Sequence, residues 1–190
     1  MKYRAIWALS HVTDQEGLKL EVVNQIFTLM HSNTELSVKV EAALCIAEIV
    51  SDQPQFASLI KPALEQLLGT YLNIMELIDC KELVEALQKI AETYHNDITP
   101  YAVAVAGKLS ENYLKLVNSD KEDREDTEIM STAIGCIHAI NRILGLCIET
   151  ENLPQDLFPL MEKALYQLCC YLISPEGSDE HLEDGLTTIS

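Results

Sequence analysis

The segment SVKVEAALCIAEIV, Ser37 to Val50, constrains the fold of this chain more than any other. Only Ser37, Lys39, Glu41 and Glu48 are plainly polar, so the apolar residues overflow the single stripe that an amphipathic surface helix buries. Val38, Ala42, Cys45, Ile46 and Ile49 need cover on more than one side. A second stretch, KYRAIWALSHV from Lys2 to Val12, lies on KVEAALCIAEI, Lys39 to Ile49, without a gap. A helix that recurs, and is too apolar to stand alone, finds its cover in neighbours of its own kind stacked beside it. The small residues Ala42, Ala43 and Ala47, with Ala5 and Ala8 in the first copy, let such neighbours approach closely.

The rest of the chain keeps the helical period and shows no sustained strand alternation between hairpin turns. Periodicity and punctuation predict helices near Met1–Val12, Leu18–Met30, Ser37–Ser51, Ala57–Met75, Lys81–Tyr94, Pro100–Val117, Glu128–Ile148, Pro154–Ile173 and from Asp179 to the end. Over Lys81–Tyr94 the two faces separate cleanly, with Leu83, Leu87, Ile90 and Tyr94 on one and Lys81, Glu85, Gln88 and Glu92 on the other. Asp79 is placed to cap that helix with Glu82 in a capping box. Thr99 is placed to cap the next, with Pro100 at its first position, where a missing N–H costs nothing. Pro62 and Pro159 are expected in first turns or at slightly late helix starts. The acidic stretch NSDKEDREDTE, residues 118–128, is expected to be a solvated inter-helix loop.

Helices of one type begin near Met1, Ser37, Asp79, Thr127 and Ser178 with one helix between each, a recurrence every 37 to 51 residues that marks a helical-repeat array. The predicted fold class is therefore all-α: a HEAT-repeat α-α superhelix, a right-handed solenoid of about four to five helix pairs. The chain opens inside a repeat-type helix carrying Ile6, Trp7 and Leu9 and closes on HLEDGLTTIS, part-way through a helix. A solenoid's own ends carry polar caps, so residues 1–190 are expected to form a single internal segment of a longer array.

Charge and chemistry narrow the function. Thirteen Lys and Arg face thirty Asp and Glu, a net charge of −17, which repels phosphate backbones and anionic lipid surfaces and favours basic proteins. Direct nucleic-acid and membrane partners are not expected, and no stretch reaches the run of eighteen or so uninterrupted apolar residues that a span needs. Cys45, Cys80, Cys136, Cys147, Cys169 and Cys170 form no C-x-x-C pair and sit mostly on apolar stretches, as reduced thiols do in the cytosol or nucleus. His11, His31, His95, His138 and His181 fall in no metal-ligand spacing, and Ser178, Asp179 and His181 lie together at a helix start without a nucleophile elbow. No phosphate-binding glycine loop is present; Gly69, Gly107, Gly135 and Gly145 fall inside helices, where close packing is the expected reason. The chain is not expected to be an enzyme or to hold a cofactor or metal.

What remains is surface. In a curved stack the second helix of each pair lines the concave face. The polar stripes there are acidic: Glu41, Glu48 and Asp52; Glu85 and Glu92 beside Glu82; and Glu180, Glu183 and Asp184. Glu41, Glu48, Glu85 and Glu92 are the candidate cargo-binding residues, on helices whose shallow interfaces would let the stack change curvature on release.

KYRAIWALSHV, then LSVKVEAALCIAEIVSDQ, then ALQKIAETYHNDITPYAVAVAGKLSENYLKLV resemble the central HEAT repeats of importin-beta-type nuclear transport receptors, the importin seven and importin eight subgroup among them. The matching residues are Arg4, Ala5, Trp7 and Leu9; Ser37 to Ala43; and Tyr94, Ile98, Thr99 and Pro100. Agreement runs from the first residue through about Val117 and more loosely through STAIGCIHAINRIL to the end. The resemblance implies a carrier that shuttles between cytoplasm and nucleus through the pore of the nuclear envelope. Such a carrier binds basic protein cargo, engages phenylalanine-glycine nucleoporins and releases cargo to Ran-GTP, which it contacts mainly through repeats outside this chain. An exportin of the same superfamily and a cytosolic HEAT scaffold are the alternative readings. The matched motifs are packing residues, so the resemblance transfers no cargo or Ran site.

Overall fold

The structure, a computed structural model, describes residues 20–32, 35–118, 127–150 and 153–174, and every regular element among them is helical. The elements are α1 (Leu20–His31), α2 (Leu36–Asp52), α3 (Pro54–Ile60), a 3-10 turn (Lys61–Ala63), α4 (Leu64–Met75), α5 (Lys81–Thr93), α6 (Thr99–Val117), α7 (Thr127–Ile148) and α8 (Leu157–Leu172). The fold class is all-α, of the HEAT-like helical-repeat kind. The predicted helices over Met1–Val12 and from Asp179 lie outside the described residues, as does most of the expected loop 118–128, of which Thr127 and Glu128 already belong to α7.

The chain divides into two compact units. The first takes the described residues through Ile78 together with Glu85–Tyr94; the second takes Asp79–Val84 and the described residues from His95 onward.

The first unit is built around the segment that opened the sequence argument. α2 buries Val38, Ala42, Ala43, Cys45, Ile46, Ala47, Ile49 and Val50, far more than one stripe, because α1, α3 and α4 all pack on it. α1 contributes Val23, Ile26 and Met30 at i, i+3, i+7. α2 ends where Gln53 turns extended, as the residue before Pro54 must, and Pro54 then opens α3 at its first position. The expected single helix over Ala57–Met75 is broken instead. Pro62 has no N–H to donate and its ring crowds the carbonyl four residues back, so the chain tightens into a 3-10 turn before α4 begins at Leu64. α4 then sets fully buried Tyr71 against α2, where its hydroxyl donates to the Ala43 carbonyl. Tyr94 likewise donates to the Ala57 carbonyl, at 2.9 Å.

In the second unit α6 is the central element, packed by α7 on one side and α8 on another. It accordingly buries residues over most of its circumference, from Ala102 and Val105 to Tyr113 and Val117, whereas α8 buries one stripe, Leu157, Met161, Leu165, Leu168 and Leu172. The Tyr113 and Tyr171 rings meet edge to face at 6.0 Å. α7 is long and apolar enough to cross a membrane by length and composition, yet half of the window that qualifies is buried within the protein. Its apolar character is that of a core helix packed on α6.

Two helix starts differ from expectation. α5 begins at Lys81, which puts Cys80 and not Asp79 at the cap position; the Asp79 carboxylate is taken by Lys115, with Nζ 3.0 Å from Oδ1 and 3.3 Å from Oδ2. Thr99 is already inside α6, and its hydroxyl lies 3.4 Å from that of Thr150 rather than over the helix end.

The glycines divide as well. A methyl at Gly107 would sit 3.6 Å from Ala164 Cβ and one at Gly135 3.7 Å from Val84 Cγ1, ordinary contact distances, while at Gly69 and Gly145 it would meet nothing within 4 Å. Close packing therefore does not account for Gly69 or Gly145. Replacing either by alanine is expected to stabilise the chain by about 0.5–1 kcal/mol, through the lost backbone freedom of the unfolded state. Thermal unfolding would show this as a rise of roughly 2–4 °C per kcal/mol; an unchanged or lower midpoint would mean that the helix needs glycine there.

Candidate binding surface on the acidic helices

All four candidate residues lie in the first unit. α2 carries Glu41 and Glu48 seven residues apart with Cys45 between them, and α5 carries Glu85 and Glu92 with the same separation. At i, i+4, i+7 the α2 trio shares one helix face, and Glu85 and Glu92, two turns apart, share one face of α5. Glu85 is exposed, while Glu41, Glu48 and Glu92 are partly covered. Gln88 Nε2 donates to Glu92 Oε1 at 3.4 Å.

The structure adds a residue that the stripe pattern passed over. Lys89, four residues after Glu85 and three before Glu92, reaches across to α2 and places Nζ 2.5 Å from Glu48 Oε1. The two side chains keep 43% and 40% of their surface exposed, so water screens the pair and its contribution to stability is small. Its positional effect is larger: it ties the acidic faces of α2 and α5 together. It also seats an ammonium in the surface, so the five residues carry four carboxylates against one cation. The signal was present in the sequence, since a lysine at those offsets must share the face of both glutamates.

Beneath the surface, the Cys45 thiol lies buried between the two glutamates of α2. Burial pushes the Cys45 thiol up to about 12, with Glu41 and then Glu48 adding to the rise. Tyr71 is raised too, first by burial, with Cys45 and Glu48 contributing.

Of the other acidic residues in these stripes, Asp52 is exposed in the last turn of α2, in the same unit. Glu82 is exposed in the second unit and accepts a 3.0 Å hydrogen bond from the Cys80 thiol, the leading cause of its lowered pKa. Glu180, Glu183 and Asp184 lie outside the described residues. Among the described residues no three His, Cys, Asp or Glu side chains gather as metal ligands would. All six cysteines are free, with Cys45, Cys136 and Cys147 buried and Cys170 exposed.

Burial also pushes the Cys136 thiol up to about 12. Both Cys45 and Cys136 are thus expected to resist an aromatic disulfide reagent in the folded chain and to react at once in denaturant. Because these folded pKa values lie above the unfolded one near 9, the protonated thiols favour the native state fully below about pH 9. That contribution is lost as pH rises toward about 12. Urea midpoints measured from pH 8 to 11 should therefore fall less steeply in Cys45→Ala than in the parent; parallel curves would show that Cys45 does not drive the decline.

Three relatives place these helices in context. The chain is 28% identical to Importin-8 of Mus musculus over 162 residues, covering 75% of this chain and 16% of that protein. It is 27% identical to an Importin beta-like SAD2 homolog of Arabidopsis thaliana over 146 residues, 76% of this chain and 14% of that protein. A probable importin-7 homolog of Dictyostelium discoideum is 27% identical over 135 residues, 70% of this chain and 13% of that protein. The chain thus spans about one sixth or less of the length of these relatives. No protein-family profile matches it, and no solved structure does. The similarity extends over most of the chain in animal, plant and amoebal proteins alike and coincides with an all-helical repeat architecture; over these residues the chain is similar to importin-7/8-type members of the importin-beta superfamily.

Proposed function

We propose that this chain is one stretch of the helical-repeat array of a nuclear transport receptor, a non-catalytic scaffold that carries basic protein cargo through the nuclear pore under the control of Ran-GTP. The observation that carries the reading is similarity to importins over 70–76% of the chain. The net charge of −17, found independently of any relative, supports a basic cargo. In this reading residues 1–190 form a single segment, with the acidic stretch 118–128 as an inter-helix loop. Glu41, Glu48, Glu85 and Glu92 contribute to the cargo surface, and the receptor moves between cytoplasm and nucleus. Ran-GTP is engaged mainly by repeats outside the chain, and phenylalanine-glycine nucleoporins are met during passage.

The test is the sign of the coupling between cargo and Ran. An antibody to this chain should recover the native receptor from a lysate of the source cell with basic proteins bound. Adding Ran loaded with a non-hydrolysable GTP analogue should release them. Cargo held more tightly in the presence of Ran-GTP would identify an exportin. Recovery of partners indifferent to Ran, with no nucleoporin among them, would replace the receptor with a cytosolic scaffold.

A further inference from the structure

We draw no further inference here: the strongest candidate, the exposed Phe158, Tyr166 and Cys170 on one side of α8 with Ile173 just past its end, is an apolar patch interrupted by exposed Glu162, and nothing among the described residues shows what covers it.

Discussion

Tyr71→Ala is expected to cost about 3–5 kcal/mol, the range for emptying a fully buried aromatic site. The ring has no exposed surface, and its hydroxyl donates to the Ala43 carbonyl across the α2–α4 contact. Alanine removes the ring from a place that the backbones of two helices already define, so the space cannot close without moving one of them. Tyr71→Phe separates the two contributions. It keeps the packing and loses the hydrogen bond, and the Ala43 carbonyl lies within a helix that still supplies a main-chain donor; the expected cost is about 1 kcal/mol. Urea unfolding followed by circular dichroism would measure both. Similar losses for the two variants would mean that the hydroxyl and not the ring holds α4 to α2. With native domains stable by only about 5–15 kcal/mol, the alanine variant stands near the limit of folding.

The second large effect concerns binding. Replacing Glu41, Glu48, Glu85 and Glu92 together by lysine turns four negative charges positive on one region of the first unit. Affinity for a lysine- and arginine-rich peptide is expected to fall by about 100-fold or more at low salt, since like charges then meet across the contact. The decline of affinity with salt should flatten, because fewer charges are neutralised on binding. Lys89→Gln should act in the opposite direction. It frees Glu48 from an internal ammonium 2.5 Å away, and a half-exposed pair of this kind is worth up to about 1 kcal/mol, so the gain should be up to about fivefold. Lys108→Gln is the control: it removes the same charge from a pair with Glu111 at 2.9 Å in the other unit. Equal gains from Lys89→Gln and Lys108→Gln would show that only net charge matters and would remove the α2–α5 surface from the proposal.

The helical class was legible because α2 has too many apolar residues for one interface, and neighbours on several sides were the only remedy. Stripes such as Leu87, Ile90 and Tyr94 were equally legible, since burial follows the period of the helix. What escaped was competition among local partners. The Asp79 carboxylate was free to cap α5 until Lys115, thirty-six residues on, claimed it. Pro62 can be absorbed by a helix start or break a helix in two; here it sits in a 3-10 turn that separates α3 from α4. Taken one helix at a time, the glutamates form stripes of one sign. Lys89 acquires its meaning only when α5 lies beside α2. Sequence spacing assigns faces; it does not say which faces meet.

Both long-range tyrosine bonds end on main-chain oxygen, at Ala43 and Ala57. A hydroxyl that recognises a carbonyl recognises a group present at every position of every polypeptide. The receiving helix is therefore free to exchange its side chain there, within the room available, without losing the bond that sets its distance from its neighbour. Such joints tolerate mutational drift on the acceptor side and concentrate the requirement on the tyrosine. An architecture fastened in this way can hold its helix spacing while most of its residues change, and most do differ between this chain and relatives that are 27–28% identical to it over the matched stretches.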